Sequence, residues 1–247
     1  MKEAFAKTKT LQSVLTHHLT QPTLRGLDQD GLERWQAILQ KLDELFKPVA
    51  KEIERIMTDP GRTDEGKSVK LLAVGPKVVD SFRNVGNVLH QADESKMRLE
   101  KLIFDPLTAK PKDANEVVTF LREDAIRRSI DKGQAGIAFL QAINQDDLET
   151  VRSLLDWPGG HGISDEILRR GREAFAQRTN QTAWENLQHV EVLREGLNAL
   201  ALQISSWLLL LGASPASVRQ STGVSVPQSF QVEQMTKYLE RIAAAKK

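Results

Sequence analysis

Residues 31–57, GLERWQAILQKLDELFKPVAKEIERIM, contain the apolar pattern that decides the fold. Their apolar side chains recur at alternating spacings of three and four residues, which is the heptad spacing of a helix with one buried seam. Pro48 lies inside this pattern and removes one backbone donor, so we expect a kink near residues 44–48 rather than a break. The seam consists of Leu32, Trp35, Leu39, Leu42, Phe46, Val49, Ile53 and Ile56.

A second long apolar seam follows the turn residues 58–63, TDPGRT. Gly75-Pro76 predicts a kink or an interruption in this second helical stretch. Because two long seams joined by a tight turn tend to pair antiparallel, residues 31–104 predict a coiled-coil-like helical hairpin. The second seam has the same spacing of three and four, with Lys96 at one of its positions; its apolar residues are Val78, Phe82, Val85, Leu89, Ala92, Leu99 and Ile103.

The remaining residues predict shorter helices, so the predicted fold is all-α. Residues 105–113, DPLTAKPKD, contain two prolines and no periodicity, which is typical of a linker between domains. We therefore divide the chain into an N-terminal segment 1–30, the hairpin 31–104, the linker 105–113 and a C-terminal bundle of shorter helices, 114–247.

Within this bundle we predict a long helix over residues 182–211 and a last amphipathic helix over 229–245. The last helix has Val232, Met235, Leu239 and Ile242 on one face. Side chains that accept hydrogen bonds from helix N-termini predict several helix starts. The predicted caps are Asp28 or Asp30, Asp113 with Glu116, Asp146 with Glu149, and Ser164.

The composition excludes several classes of function. Among 247 residues, 34 are Lys or Arg and 33 are Asp or Glu, and this net charge of +1 gives no overall attraction to nucleic acid or an anionic membrane. Since the chain has no cysteine, it has no disulfide, thiolate metal site or cysteine nucleophile. Its N-terminus lacks an uninterrupted apolar stretch of signal-peptide length, so we predict no secretory signal.

One segment matches a nucleotide-binding pattern letter for letter. Gly61–Ser68, GRTDEGKS, fits the phosphate-binding loop G-x-x-x-x-G-K-[ST], which requires a strand before the loop and a helix after it. Here the preceding residues belong to the heptad helix, and Asp64 and Glu65 would place two carboxylates beside the phosphates. We therefore predict a helix start capped by Asp64, and no nucleotide or other cofactor.

No other group of residues predicts catalysis. The five histidines, His17, His18, His90, His161 and His189, form no metal-binding spacing. Adjacent helical residues point about 100° apart, so Glu123-Asp124 and Arg127-Arg128 predict solvated faces with salt bridges rather than an acid–base pair. We expect a protein that is not an enzyme and has no metal site.

Two alternatives involve the C-terminal half. Residues 215–239, with the turn Thr222–Ser225, are similar to a helix-turn-helix, but the predicted recognition residues 226–234 contain no Lys or Arg to contact DNA. This composition disfavours nucleic acid as a partner. The most apolar stretch, Leu197–Leu211, predicts a core helix, and insertion of this stretch into a membrane is the alternative.

Two parts of the sequence resemble helical proteins of tailed-phage and prophage structural gene modules. Residues 56–66 resemble a D-P-x-x-T-x-E-G turn that opens a helix in such proteins. Residues 125–128, 138–155 and 162–166 resemble the order of motifs seen in some of them. The resemblance implies a structural or assembly protein of a virion, made in the cytoplasm and without catalytic residues. The alternative within this setting is a virion-carried ejection protein that inserts in the host envelope.

The partners implied are other protein subunits, either further copies of this chain or other virion proteins. Val79, Val88 and Leu102 lie outside the seam of the second helical stretch and predict a second apolar edge. Soluble monomers usually avoid exposing such an edge, so we expect an oligomer or an obligate partner. The alternative is that the C-terminal bundle folds back over the hairpin through the linker 105–113 and covers this edge.

Overall fold

The computed structural model describes residues 1–20, 27–109, 115–157 and 162–227. Over these ranges the regular structure is helical and no strand is present, which confirms the all-α prediction. Short 3-10 turns lie at Val79–Phe82 and Lys132–Gln134. The α-helices are α1 Lys2–Thr20, α2 Gln29–Thr58, α3 Asp64–Leu72, α4 Val74–Val78, α5 Arg83–Thr108, α6 Glu116–Ser129, α7 Ala135–Gln145, α8 Leu148–Leu155, α9 Asp165–Thr179, α10 Gln181–Leu210 and α11 Pro215–Thr222.

The chain forms two compact units whose boundaries differ from the predicted domains. Unit 1 contains Met1–Glu94 and His189–Lys247, and unit 2 contains Ser95–Gln188, so the division falls inside α5 and α10. The predicted linker begins too early because α5 continues through Pro106 to Thr108. Leu107, in this last turn, is buried in the core of unit 2, which explains why the helix persists there. Residues 110–114 lie outside the described residues.

The seam of α2 is buried in unit 1, but it faces more than the next helix. Seven of its eight side chains are buried, and Leu32 is half-buried. Helix α1, whose own apolar pattern is weak, packs along α2 and contributes Leu11 and Leu15 to the core. The ring of Phe46 lies 5.1 Å from the ring of Trp207 on α10. The seam is therefore shared among several helices instead of closing a two-helix hairpin.

The Leu197–Leu211 stretch belongs to the core of unit 1. Trp207 is fully buried, its ring meets Phe82 edge-on at 5.7 Å, and its Nε1 donates a hydrogen bond to Thr8 Oγ1 at 2.9 Å. Ser205, one of the polar residues that interrupt the stretch, donates to the carbonyl of Ala201 at 2.6 Å. In the part of the chain that the structure describes, no helix has both the length and the hydropathy that crossing a bilayer requires.

The second helical stretch is interrupted as predicted, but at Ala73, between α3 and α4, because Gly75 and Pro76 lie in the first turn of α4. Gly75 N–H donates to the carbonyl of Leu211 at 2.9 Å, so a donor at the start of α4 satisfies an acceptor at the end of α10. A Cβ built on Gly75 would lie 2.7 Å from the Leu211 carbonyl oxygen. Gly212 has a φ of +90°, and its Cβ would lie 2.1 Å from the carbonyl oxygen of Leu72. This backbone contact tolerates only glycine at both positions.

The core of unit 2 is built from α7, α8 and α9, with the last turns of α5. Phe139 on α7 and Phe175 on α9 are buried with Leu154 on α8. Gly171 of α9 lies against the ring of Phe139, where any Cβ would clash. A separate cluster includes Ala183 and Leu187 of α10. The prediction of shorter helices in this part of the chain agrees with the structure, but the predicted bounds 114–247 do not, because unit 2 begins within α5 and ends within α10.

Several helix starts agree with the sequence, and two predictions of a cap are wrong. Asp28 and Ser164 cap α2 and α9 as predicted. At α8 the capping side chain is Asp147, not Asp146, because Asp146 adopts the left-handed conformation that ends α7. At α3 the cap is Thr63, not Asp64. Asn115 caps α6, and the predicted Asp113 lies outside the described residues.

Candidate interaction surfaces

The nucleotide-like motif lies at a helix–helix junction. Helix α2, rather than a strand, precedes it, and α3 already begins at Asp64, so the segment lacks the strand–loop–helix arrangement that the phosphate-binding motif requires. Asp59 organises the turn by accepting from Gly61 N–H at 3.0 Å and from the guanidinium of Arg62. The hydrogen bond from Gly61, followed by that from Arg62, lowers the pKa of the Asp59 carboxyl. The polar groups of Asp59, Gly61 and Arg62 therefore stabilise the turn between α2 and α3.

The remaining sequence predictions concern metal binding by histidine, DNA binding by a helix-turn-helix, and the last helix. Among the described residues, no three His, Asp or Glu side chains are grouped so that they could hold a metal ion. The helix-turn-helix hypothesis covers α11 and the turn at Gly223, which has a φ of +74°. Its recognition residues from 228 onward, the predicted helix 229–245 and the loop residue His161 lie outside the described residues.

The predicted second apolar edge does not exist as one surface. Val79 is buried in the core of unit 1, and Val88 is half-buried against the same core. Leu102 is 58% exposed, but it belongs to unit 2. Val79 and Val88 are nine residues apart, which would place them on opposite sides of one continuous helix. The 3-10 turn that contains Val79 also separates it from α5.

Helix α6 of unit 2 buries charged side chains and exposes apolar ones. Glu123 and Arg127 are its buried side chains, so the prediction that these two charges lie on a solvated face is wrong. Arg127 Nη2 donates to Glu123 Oε2 at 3.2 Å, and Arg127 Nε donates to the carbonyl of Ser153 at 2.8 Å. That carbonyl lies in the last turn of α8, where helix acceptors lack intrahelical partners and attract a cation. The charged pair therefore attaches α6 to α8.

Four apolar side chains of α6 remain in water as a result. Val117, Phe120 and Leu121 follow the three-and-four spacing of one helix face, and Val118 lies beside them. Their exposed fractions are 66%, 59%, 59% and 46%, in the order Val117, Phe120, Leu121, Val118. We call these four residues the α6 face. A contiguous exposed apolar patch of this kind marks interaction sites on soluble proteins.

The α6 face was not among the surfaces predicted from the sequence, although the sequence contains a signal for it. Glu123 and Arg127 are spaced i, i+4, which allows one ion pair on one face of a helix. Val117 and Leu121 have the same spacing on a different face, and Phe120, seven residues before Arg127, lies at the border between the two faces. A helix with both an apolar and a charged pattern can bury only one of them. In α6 the charged pattern is buried, because Arg127 contacts the end of α8.

Unit 1 has a surface of another kind, a groove between α2 and the α3–α4 segment. It encloses about 740 Å³, and its apolar floor includes Leu45, Val49, Ile56, Val74 and Val78. A smaller apolar depression of about 90 Å³, which shares only Leu45 with this groove, is lined by Ala37, Ile38, Val85 and Val88 together with Leu197 and Leu200 of α10. We call the larger space the α2 groove.

The two rims of the α2 groove differ in charge. Glu44 and Glu52 line the α2 rim, and Lys70 and Lys77 line the opposite rim. Arg55 Nη2 lies 2.8 Å from Glu52 Oε2, and this hydrogen-bonded carboxylate raises the pKa of Arg55. Among the described residues, Lys70 and Lys77 form no ion pair. Two lysine ammonium groups with no carboxylate partner in the described ranges thus lie beside an apolar floor.

Comparisons of this chain with protein-family models, curated proteins and solved structures find no significant match.

Proposed function

We propose that this chain is a non-enzymatic helical structural or assembly protein that acts through contacts between protein subunits. The observation that carries the proposal is the α6 face, which keeps Phe120 and Leu121 in water while the charged pair of the same helix is buried. Burial of apolar surface contributes about 25 cal/mol per Å² to association. A partner that covers these side chains removes their apolar surface from water, which favours association.

The partner that α6 fits is a second copy of itself. Its first turn carries Glu116 and its last turn carries Arg128, so an antiparallel pair of α6 helices places the acidic end of each beside the basic end of the other. Such a pair also opposes the two helix dipoles. The two-fold axis that pairs Glu116 with Arg128 passes near residue 122, next to Leu121, so the same arrangement brings both apolar faces together.

The setting we propose for this assembly is a tailed-phage particle, with synthesis in the cytoplasm before incorporation. Support for the setting comes from the resemblance of residues 56–66, 125–128, 138–155 and 162–166 to proteins of phage structural modules. The test is mass spectrometry of purified particles of a phage that encodes this chain. The chain is expected at a copy number comparable with other structural proteins, and its absence from the particles would contradict the setting.

Light scattering over a concentration series tests the self-association. We expect the wild-type mass to rise from monomer to dimer, and the double variant Phe120→Ser/Leu121→Ser to remain a monomer. The matched control is Ile137→Ser, because Ile137 is 61% exposed on α7 of the same unit but lies outside the α6 face. A wild-type chain that stays monomeric throughout would contradict the proposal.

A further inference from the structure

The α2 groove has the apolar floor and the charged rim of a site for one amphipathic helix. From Glu44 to Ile56, α2 lines it over 12 residue steps, or about 18 Å at 1.5 Å per residue. Helices that bind in such grooves insert apolar residues at spacings of three and four. Lys70 and Lys77, seven residues apart on one rim, favour an occupant with two acidic side chains at the same spacing.

The C-terminal sequence of this chain has those properties. Residues 229–245 lie outside the described residues and are compared with the groove by sequence. As a helix they would extend about 26 Å, with Val232, Met235, Leu239 and Ile242 as the apolar stripe. Glu233 and Glu240 are seven residues apart and share one edge of that stripe.

The last described residues belong to unit 1, which is also the unit that contains the α2 groove. Val226 is buried in the core of unit 1, and Pro227 is the last described residue. The segment that follows therefore starts from the unit that contains the α2 groove. We propose that residues 229–245 of the same chain occupy the α2 groove as an amphipathic helix, with Glu233 and Glu240 paired to Lys70 and Lys77. This contact is separate from the self-association through α6.

Cross-linking between introduced cysteines tests the proposal, since the chain has no cysteine of its own. One variant of the full chain carries Val69→Cys at the groove, where Val69 is 54% exposed, together with Thr236→Cys. The control pairs Thr236→Cys with Lys9→Cys on the exposed side of α1. We expect a short bismaleimide to join residues 69 and 236 within one chain, and to join 9 and 236 at least about threefold more slowly.

Charge exchange supplies the second measurement. Lys70→Glu/Lys77→Glu should slow cross-linking of 69 to 236 at least about threefold, because two exposed pairs become repulsive. Adding Glu233→Lys/Glu240→Lys should restore the rate. Equal rates at residues 9 and 69, cross-links found only between chains, or charge reversal without effect would each overturn the proposal.

Discussion

Leu42 is the residue at which the seam prediction is tested most simply. It lies in the middle of α2, is 4% exposed and belongs to the core of unit 1. Leu42→Ala should lower the free energy of unfolding by about 2–5 kcal/mol, because a buried leucine leaves a cavity when it is truncated. Urea denaturation followed by circular dichroism measures this change. Gln40→Ala, at an exposed position of the same helix and outside the α2 groove, should cost less than about 0.5 kcal/mol, and equal losses would show that the seam is not buried.

Gly75 tests whether the backbones of α4 and the end of α10 are in contact. Gly75→Ala places a methyl group 2.7 Å from the Leu211 carbonyl oxygen, and a fixed backbone cannot yield as a side chain does. We expect a loss of about 1–3 kcal/mol in thermal or urea unfolding, typical of overpacking. Gly66→Ala in α3 is the control, because its Cβ would have only a contact of 3.4 Å with Thr63 and alanine favours helix. An unchanged free energy of unfolding in Gly75→Ala would rule out this backbone contact.

At the scale of the element, α6 shows how a charged pair determines the orientation of a helix. Glu123 and Arg127 are 8% and 7% exposed, and the pair reaches the last turn of α8 through Ser153. A buried ion pair contributes little net stability, but loss of one partner leaves an uncompensated charge. The pair therefore selects which face of α6 is buried, and the α6 face stays in water as the consequence.

A double-mutant cycle on this pair tests the explanation. Arg127→Met should destabilise unit 2 by about 3–5 kcal/mol, because Glu123 remains buried without its cation. The double variant Glu123→Leu/Arg127→Met should recover most of that loss, since two apolar residues of similar volume need no partner. Urea unfolding of the wild type, both single variants and the double variant gives the coupling energy. Additive losses in the cycle would show that the two side chains do not interact.

The sequence predicted elements well wherever one apolar pattern dominates. The seam of α2, the interruption near Gly75-Pro76 and the caps Asp28 and Ser164 follow from local spacing and local hydrogen bonds. Helix α1 was missed as a partner of α2 because its own pattern is weak and only the packed core shows which faces meet. The α6 face was missed because the competing charged pattern is resolved by α8, which is distant in sequence.

At the scale of the whole molecule, the chain is divided within helices rather than at its proline-containing segment. Each unit includes part of α5 and part of α10, so the division does not follow a linker. The two prolines of residues 105–113 are a local signal, whereas the units are defined by contacts between distant residues. The candidate contact between subunits is confined to unit 2, and the α2 groove to unit 1.

A single introduced cysteine tests most directly whether two copies of the chain meet through their α6 faces. Leu121→Cys supplies the only thiol of the chain at the middle of the face. Under mild oxidation at micromolar concentration we expect a disulfide-linked dimer whose yield rises with protein concentration. Ile137→Cys, at a similarly exposed position on α7, should remain mostly monomeric. Equal dimer yields from the two variants, or no dimer from Leu121→Cys, would contradict self-association through α6.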